Sequence, residues 1–409
     1  MHDSSCVSVI IPVWNLWDMT EACLRSLATH SAGENMQVVV VDNHSTDATT
    51  TELASLGEAL FGTSFKAVRM PENVGFARGC NAGARAADGD LLFFLNNDTT
   101  LTPRWLPPLR EAMADPKVGA VGPLLLYPDG TVQHCGIYFT PFNALGHLYE
   151  HLPGTFAAAR KNHPLQAITG AAIMLRKTDF EACGAFHEAY RNGFEDIDLC
   201  FTLRERGLKL RVESRSVIHH HTSRTPGRFA HDLQNSTLLM QRFGGAVRPD
   251  EHILVSLDGY QLSIGPALAT WAELPQERQK RLNEEFGGAA FASTACQAML
   301  QREPLWLDGW LLLAAHQEAG GDLSSAMDTL NRCLHIMPSP KVFAQMLQLA
   351  RNAQLGEEML VALEAERTGR DLAAAKARVQ LARRAAYSFG DAALARLLGD
   401  WTVEYAACI

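Results

Sequence analysis

The residues able to do chemistry stand directly behind apolar runs. Leu91-Leu92-Phe93-Phe94-Leu95 ends in Asn96-Asn97-Asp98-Thr99-Thr100, and an apolar strand that closes in two amides and a carboxylate suits a hard divalent cation better than it suits packing. Asp98 is the expected metal ligand, on an ion that would bridge a diphosphate and offset developing charge. Asp42 follows the run Gln37 to Val41, where it would accept from a base N–H or a ribose hydroxyl, or else simply hydrogen-bond its own loop. Asp47, in the same loop, is the expected helix cap. Pro12-Val13-Trp14-Asn15 closes the first run and either receives a nucleobase or only turns the chain into a helix.

Three further groups carry polar side chains at telling spacings. In Asn73-Val74-Gly75-Phe76-Ala77-Arg78-Gly79-Cys80-Asn81-Ala82-Gly83 the glycines recur every four residues, so a helix beginning near Gly75 lines them on one face and permits close backbone approach. Arg78 could then meet a phosphate and Asn81 a ribose or base edge, while tight packing on a sheet accounts for at least one of the glycines. Glu195 and Asp196 open a helical stretch, where acids commonly do no more than offset the helix dipole. His219-His220-His221 suggests metal, yet three adjacent side chains cannot all face one ion, so one ligand at most is expected.

These residues need a scaffold that brings loop ends together. Short β-branched runs at Val7 to Val13, Gln37 to Val41, Phe65 to Met70 and Leu91 to Leu95 alternate with helical patterns such as the one opening at Asp18. Near-continuous apolar strands of this kind predict a mostly parallel sheet covered on both faces, with ligands beyond the strand carboxyl ends. A further strand is expected at Leu210-Arg211-Val212. The first domain, an α/β unit, is expected over 1–257.

From about residue 258 to 409 the strand runs disappear and Ala, Leu, Glu and Arg at helical spacing take over. Gly287, Ala292, Cys296, Leu300 and Pro304 recur 34 residues later as Gly321, Ala326, Leu330, Leu334 and Pro338, the period of a tetratricopeptide repeat. Trp310, Leu313, Ala314, Ala326 and Cys333 then fall where that repeat has its packing residues, and a decayed unit with Leu355-Gly356 at its turn follows. An all-α, tetratricopeptide-like domain is expected, the competing reading being an ordinary helical bundle.

Val9-Ile10-Ile11-Pro12-Val13-Trp14-Asn15, Val40-Val41-Asp42-Asn43, Asn73-Val74-Gly75-Phe76-Ala77 and Asn96-Asn97-Asp98, in that order, resemble the inverting family 2 glycosyltransferases of GT-A fold, especially the rhamnosyltransferase-like branch. The likeness runs from about residue 7 to 225. It implies transfer of a sugar from a nucleotide-sugar donor, UDP- or dTDP-linked, to a hydroxyl of a glycan, lipid-linked glycan or protein, with Mn2+ or Mg2+ as cofactor. Pro12, Trp14, Asn15, Asp42, Asn73, Gly75, Arg78, Asn81, Asn97 and Asp98 would bind the donor. Asn96-Asn97-Asp98 fills the place of the family's Asp-x-Asp motif with only Asp98 keeping its charge. Gly184-Ala185-Phe186-His187-Glu188 is similar to the family's G-x-F-D-E stretch. The resemblance makes Asp196 the general base, with Glu195 as the alternative or an acceptor ligand, and Asp198 a support. The family's V-x-H pattern picks His219 to join Asp98 on the metal or to contact the diphosphate, and Ser223, Arg224 and Arg228 could close over phosphates.

Composition narrows the alternatives. The 409 residues carry a formal net charge of −9, against the broad basic surface that nucleic-acid binding needs, so no nucleic acid is expected. Nine scattered cysteines without a C-x-x-C pair, no spanning segment and no signal-peptide pattern suggest a cytoplasmic protein, soluble or attached peripherally at the inner membrane face. The rival from another class is a scaffold, with an inactive α/β fold and helical repeats that bind a protein partner. Retention of both Asp98 and Asp196 argues against it.

Overall fold

The computed structural model describes residues 5–221, 231–286, 293–353, 357–369 and 371–406. Ser223, Arg224, Arg228, Gly287, Ala292, Leu355 and Gly356 lie outside them. The chain forms two compact units, one of Met1–Tyr138, His147–Glu150 and Gly154–Val247, the other of Phe139–Gly146, His151–Pro153 and Arg248–Ile409. The second therefore starts ahead of the composition change at 258 and takes in two short segments from 139–153.

In the first unit, β1 (Val7–Val13), β2 (Met36–Asp42), β3 (Phe65–Arg69) and β4 (Leu91–Leu95) are linked by α1 (Trp17–His30), α2 (Thr49–Phe61) and α3 (Phe76–Ala86). They lie parallel in the order β3-β2-β1-β4. Val38 to Val41 are all fully buried because both sheet faces are covered. On one face Val9 and Ile11 pack with Leu24 and Leu27 of α1 and with Leu109 of α4 (Leu106–Met113). On the other, Phe94 meets Phe180 of α5 (Lys177–Ala182) and Phe186 at ring-centroid distances of 5.0 and 4.8 Å.

The sheet continues through β5 (Thr99–Leu101), β6 (Val118–Leu126), β7 (Val132–His134), β8 (Ala172–Arg176) and β9 (Lys209–His220). The full order is β3-β2-β1-β4-β8-β6-β9-β5, with β7 paired to β6. β8 is antiparallel to both β4 and β6, and β9 is parallel to β6. Consequently β1, β2, β4, β6 and β9 all end at one edge of the sheet. β8 begins at that edge, with Ala172 opposite Leu95. The strand expected at Leu210 to Val212 is longer than its apolar core: it runs on to His220 across a register break between Glu213 and Val217, so His219 and His220 close the strand and His221 follows it. α6 (Glu195–Glu205) and α7 (Asp232–Phe243) complete the unit.

The second unit holds α8 (Glu251–Leu257), α9 (Gln276–Phe286), α10 (Ser293–Arg302), α11 (Leu307–Ala319), α12 (Leu323–Ile336), α13 (Pro340–Asn352), α14 (Glu357–Thr368), α15 (Leu372–Ser388) and α16 (Ala392–Ala406). The expectation that strands vanish after 258 needs correction. β10 (Gln261–Ile264) and β11 (Thr270–Glu273) form an antiparallel pair, because Leu262 and Ile264 alternate with polar residues ahead of Gly265-Pro266. Trp310, Leu313, Ala314, Ala326, Leu330 and Cys333 are buried. Gln345 Nε2 donates to Leu311 O at 3.0 Å and Asn352 Nδ2 to Glu318 Oε1 at 2.7 Å, each pair 34 residues apart. Among the described residues no helix is long and apolar enough to cross a membrane.

The glycines of α3 differ in what they do. A Cβ on Gly83 would lie 2.4 Å from Ile10 Cγ2 and 2.9 Å from Val41 Cγ2, both stiff β-branched side chains in the sheet, whereas the nearest atoms to one on Gly79 are 3.9 Å away. Gly83→Ala is expected to destabilise the chain by about 1–3 kcal/mol through overpacking. Gly79→Ala should be neutral or stabilising by up to about 1 kcal/mol from helix propensity. Thermal unfolding of the two variants checks the contrast.

Candidate active site

The exits of β1 and β2 are tied together by side chains expected to bind a ligand. Asn15 and Leu16 both take left-handed backbone angles, φ 55° and 58°, which cost about 1–2 kcal/mol per residue and must be held by neighbours. Asn15 N donates to Ser45 Oγ at 2.8 Å, Thr46 N donates to Asn15 Oδ1 at 2.7 Å, and Trp17 N donates to Asp47 Oδ2 at 3.0 Å. Asp47 thus serves α1 as well as α2. Burial presses its pKa upward, but hydrogen bonds from Thr49 and Trp17 outweigh that and hold it below the usual range. The buried Asp42 carboxylate accepts from Ser45 N at 2.8 Å and pairs with half-exposed Arg69. It is an anchored acceptor whose charge is shared with a guanidinium. Trp14 remains 41% exposed and Pro12 lies against Gly79 at the same edge.

The next loop is built by amides. Buried Asn43 donates to Asn73 Oδ1 at 3.0 Å and to Gly75 O at 3.2 Å, and accepts from Val74 N at 2.8 Å. Gly75 has φ 82°, the left-handed turn that glycine enters without strain. Arg78 pairs with Glu188 at 3.3 Å on the surface. Asn81 was expected on a ribose or base edge, and its placement differs. The amide is buried, donating to Phe186 O at 2.9 Å and Glu188 Oε1 at 3.1 Å and accepting from Phe186 N at 3.0 Å. It ties down the Gly184 to Glu188 stretch instead.

At the end of β4, Asn97 Nδ2 turns away to Thr20 Oγ1 at 2.9 Å. Asp98 is buried, and its Oδ1 lies 3.0 Å from His220 Nε2. His219, the histidine expected beside Asp98, instead points Nδ1 at Tyr127 O at 3.2 Å. Adjacent residues of a strand face opposite sides, and the pairing of His219 with Thr100 and His220 with Thr99 sends His220 to the Asp98 side. Gln133 on β7 contacts the far side of the His220 ring. Asn96 Nδ2 approaches His220 Nε2 at 3.5 Å.

The acids of α6 arrive from the other direction. Asp196 accepts from Gly170 N at 2.7 Å and from Ile197 N at 2.9 Å, which fixes its rotamer while each oxygen keeps a second lone pair. Gly170 lies in the loop that leads into β8. Since Asn96 N donates to Ala171 O at 2.9 Å, that loop also touches the Asp98 turn. Glu195 is buried and accepts from Gly193 N at 2.8 Å. Asp198 supports α7, accepting from Tyr190 Oη at 3.0 Å and pairing with Arg242. Asn235 of α7, which sequence reading passed over, clamps the turn ahead of α6 by donating to Arg191 O at 2.9 Å and Gly193 O at 3.0 Å. His134 was likewise missed. It is fully buried, accepts from Thr169 N at 3.3 Å through Nε2, and meets His147 Nδ1 at 2.8 Å. Burial, with His147 and His220 nearby, pushes its pKa well below 6.5.

Residues 8–184 match the glycosyl transferase family 2 family. Among relatives, the O-antigen biosynthesis protein RfbC of Myxococcus xanthus is 30% identical over 223 residues, 53% of this chain and 17% of that protein. An N-acetylglucosaminyl-diphospho-decaprenol L-rhamnosyltransferase of Mycobacterium tuberculosis is 29% identical over 248 residues, 54% of this chain and 78% of that protein. The matched region thus spans a small part of the first relative and most of the second. A crystal structure of GalNAc-T7 with UDP, GalNAc and Mn2+ superposes with a TM-score of 0.51 at 15% identity, covering 59% of this chain and 49% of that one, a likeness of fold. Residues 8–184 are thus similar to the family 2 glycosyltransferases, and the sheet that carries them has a GT-A type fold.

The depressed pKa of His134 has a sign that can be measured. As pH falls through about 6.5 the unfolded chain binds a proton at this residue and the folded chain does not, so stability drops on acidification. The urea midpoint of the native chain should fall between about pH 6.5 and 5, and His134→Gln should flatten that limb; identical slopes would contradict the assignment.

Proposed function

We propose that this family 2 glycosyltransferase domain moves a sugar from a UDP- or dTDP-linked donor to a hydroxyl of a cell-surface glycan, a lipid-linked glycan or a protein, by direct displacement with inversion. The observation that carries the reading is the convergence of Asp98, His220 and Asp196 on the one sheet edge where β4 ends and β8 begins. Trp14, Asp42 and the Asn73 to Gly75 turn supply the nucleotide side of that edge. Asp196, held by two backbone N–H groups, takes the proton from the attacking hydroxyl. Glu195, with an oxygen tied to Gly193 N, shapes the acceptor turn.

A carboxylate oxygen and an imidazole nitrogen facing each other at 3.0 Å form a donor set that fits a divalent cation. Asp98 and His220 would hold Mn2+ or Mg2+, which when bound offsets charge on the leaving diphosphate. The helical unit is read as tetratricopeptide-like, supported by the contacts at 34-residue spacing, and as the binder of a protein partner or a large acceptor.

A panel of nucleotide sugars with and without Mn2+ or Mg2+, followed by nucleotide release, tests the assignment. Asp196→Asn should lower kcat by about 10²- to 10⁴-fold with donor affinity kept, and Asp98→Ala should abolish metal-stimulated donor binding. Absence of turnover and of binding with every donor, together with an unchanged Asp98→Ala variant, would defeat the enzymatic reading.

The role of the helical unit is separable by removing residues 258–409 and comparing a small acceptor with a native one. Selective loss on the native acceptor is expected. Equal loss on both would assign those helices a structural task.

A further inference from the structure

Gln133 is the extra residue of a β-bulge. His134 pairs with Leu125 and Val132 with Leu126, so β7 fits one more residue into its span than β6 does, and such bulges re-aim a side chain at sheet rims. The Gln133 side chain is buried and makes two contacts with one neighbour. Its Nε2 donates to the backbone O of His220 at 3.1 Å, and its Oε1 meets His220 Nδ1.

The orientation of this amide is forced. A peptide oxygen only accepts, so the NH2 end must face it and the oxygen end must face Nδ1. Nδ1 must therefore carry the hydrogen. In a neutral imidazole that leaves the lone pair on Nε2, the atom 3.0 Å from Asp98 Oδ1. Asn96 Nδ2 at 3.5 Å is a donor turned toward the same nitrogen, in keeping with a lone pair there.

We propose that Gln133 is a positioning residue that locks His220 in the Nδ1–H tautomer and so presents Nε2, beside Asp98, to a divalent cation. This rests on the metal reading given above. The device needs all three side chains on one side of the sheet: Gln133 from the bulge, His220 from the end of β9, and Asp98 from the turn after β4. His219 also has its Nδ1 on a carbonyl, Tyr127 O, but on the strand face opposite to Asp98, and His221 meets Thr100 Oγ1 through Nε2. A partner that orients a ligating imidazole commonly changes metal affinity by about 10- to 100-fold when removed.

The test uses the full-length protein, Mn2+ alone as probe and calorimetric titration as readout, with thermal unfolding as a control for folding. Gln133→Leu, which removes the acceptor, should weaken Mn2+ binding by about tenfold or more. Gln133→Glu keeps an acceptor for Nδ1–H when its carboxyl is protonated, the O–H then donating to His220 O as the amide does, and should weaken Mn2+ binding less than Gln133→Leu does. Selective ¹⁵N-histidine labelling, with His220 assigned by its loss in His220→Ala, should show Nδ1 protonated in the native metal-free protein. An Nε2–H tautomer overturns the proposal whatever the affinities are, and decides the case if Gln133→Leu does not fold. Native-like binding by Gln133→Leu, or equal weakening by both variants, overturns it as well. Asp98→Ala and His220→Ala report separately on the cation site: native affinity in both defeats the metal reading, while the tautomer is still judged by the nitrogen spectrum.

Discussion

A buried carboxylate facing a buried imidazole nitrogen is costly unless something positive or a hydrogen lies between them. Asp98 and His220 are held in that relation at 3.0 Å, and much of the surrounding structure keeps it. The turn after β4 is fixed by Asn96 N on Ala171 O and by His221 N on Asp98 O at 2.8 Å. The His220 ring is fixed by an amide from a bulged strand. Asp98 lies in the turn between β4 and β5, and His220 ends β9, which pairs with β5.

The remaining site follows from strand direction. Five strands that end at one edge deliver Trp14, Asp42, Asp98, Tyr127 and His220 there, and an antiparallel strand starting at the same edge brings the Thr169 to Ala171 loop beneath Asp196. The turns carry the conformational cost. Non-glycine residues with positive φ include Asn15, Leu16, His44, Asn192 and Phe194, all at this edge or in the turn leading to α6. Each is braced by side-chain hydrogen bonds nearby, Asn15 by the Ser45 loop and the Asn192 to Phe194 turn by Asn235. Strain of this kind persists where the surroundings over-determine the backbone.

The helical unit obeys a different rule. Its helices are tied by partners closer in sequence: Gln345 donates to Leu311 O and Asn352 to Glu318, each across 34 residues. The sheet edge gathers side chains from distant segments, whereas these helix contacts join segments closer in sequence.

By itself the sequence determined the alternation of strands and helices, the burial of Val38 to Val41, the placing of Asp42 and Asp98 behind apolar runs, and the mainly helical C-terminal region. Hydrophobic periodicity and turn residues act locally, and they can be read locally. What only the tertiary structure decided depends on register and on long-range partners. Of three consecutive histidines the V-x-H resemblance picks His219, but the pairing of β9 with β5 assigns His220 to the Asp98 side instead. Asn81 and Gln133 are amides of similar chemistry. Asn81 is consumed by Phe186 and Glu188 more than a hundred residues away, while a one-residue bulge turns Gln133 onto a histidine 87 residues on. The Gln133 contact is a property of the folded sheet, because a shift of one residue would send its side chain to the other face, and the Asn81 contact depends on where α3 meets the Phe186 segment.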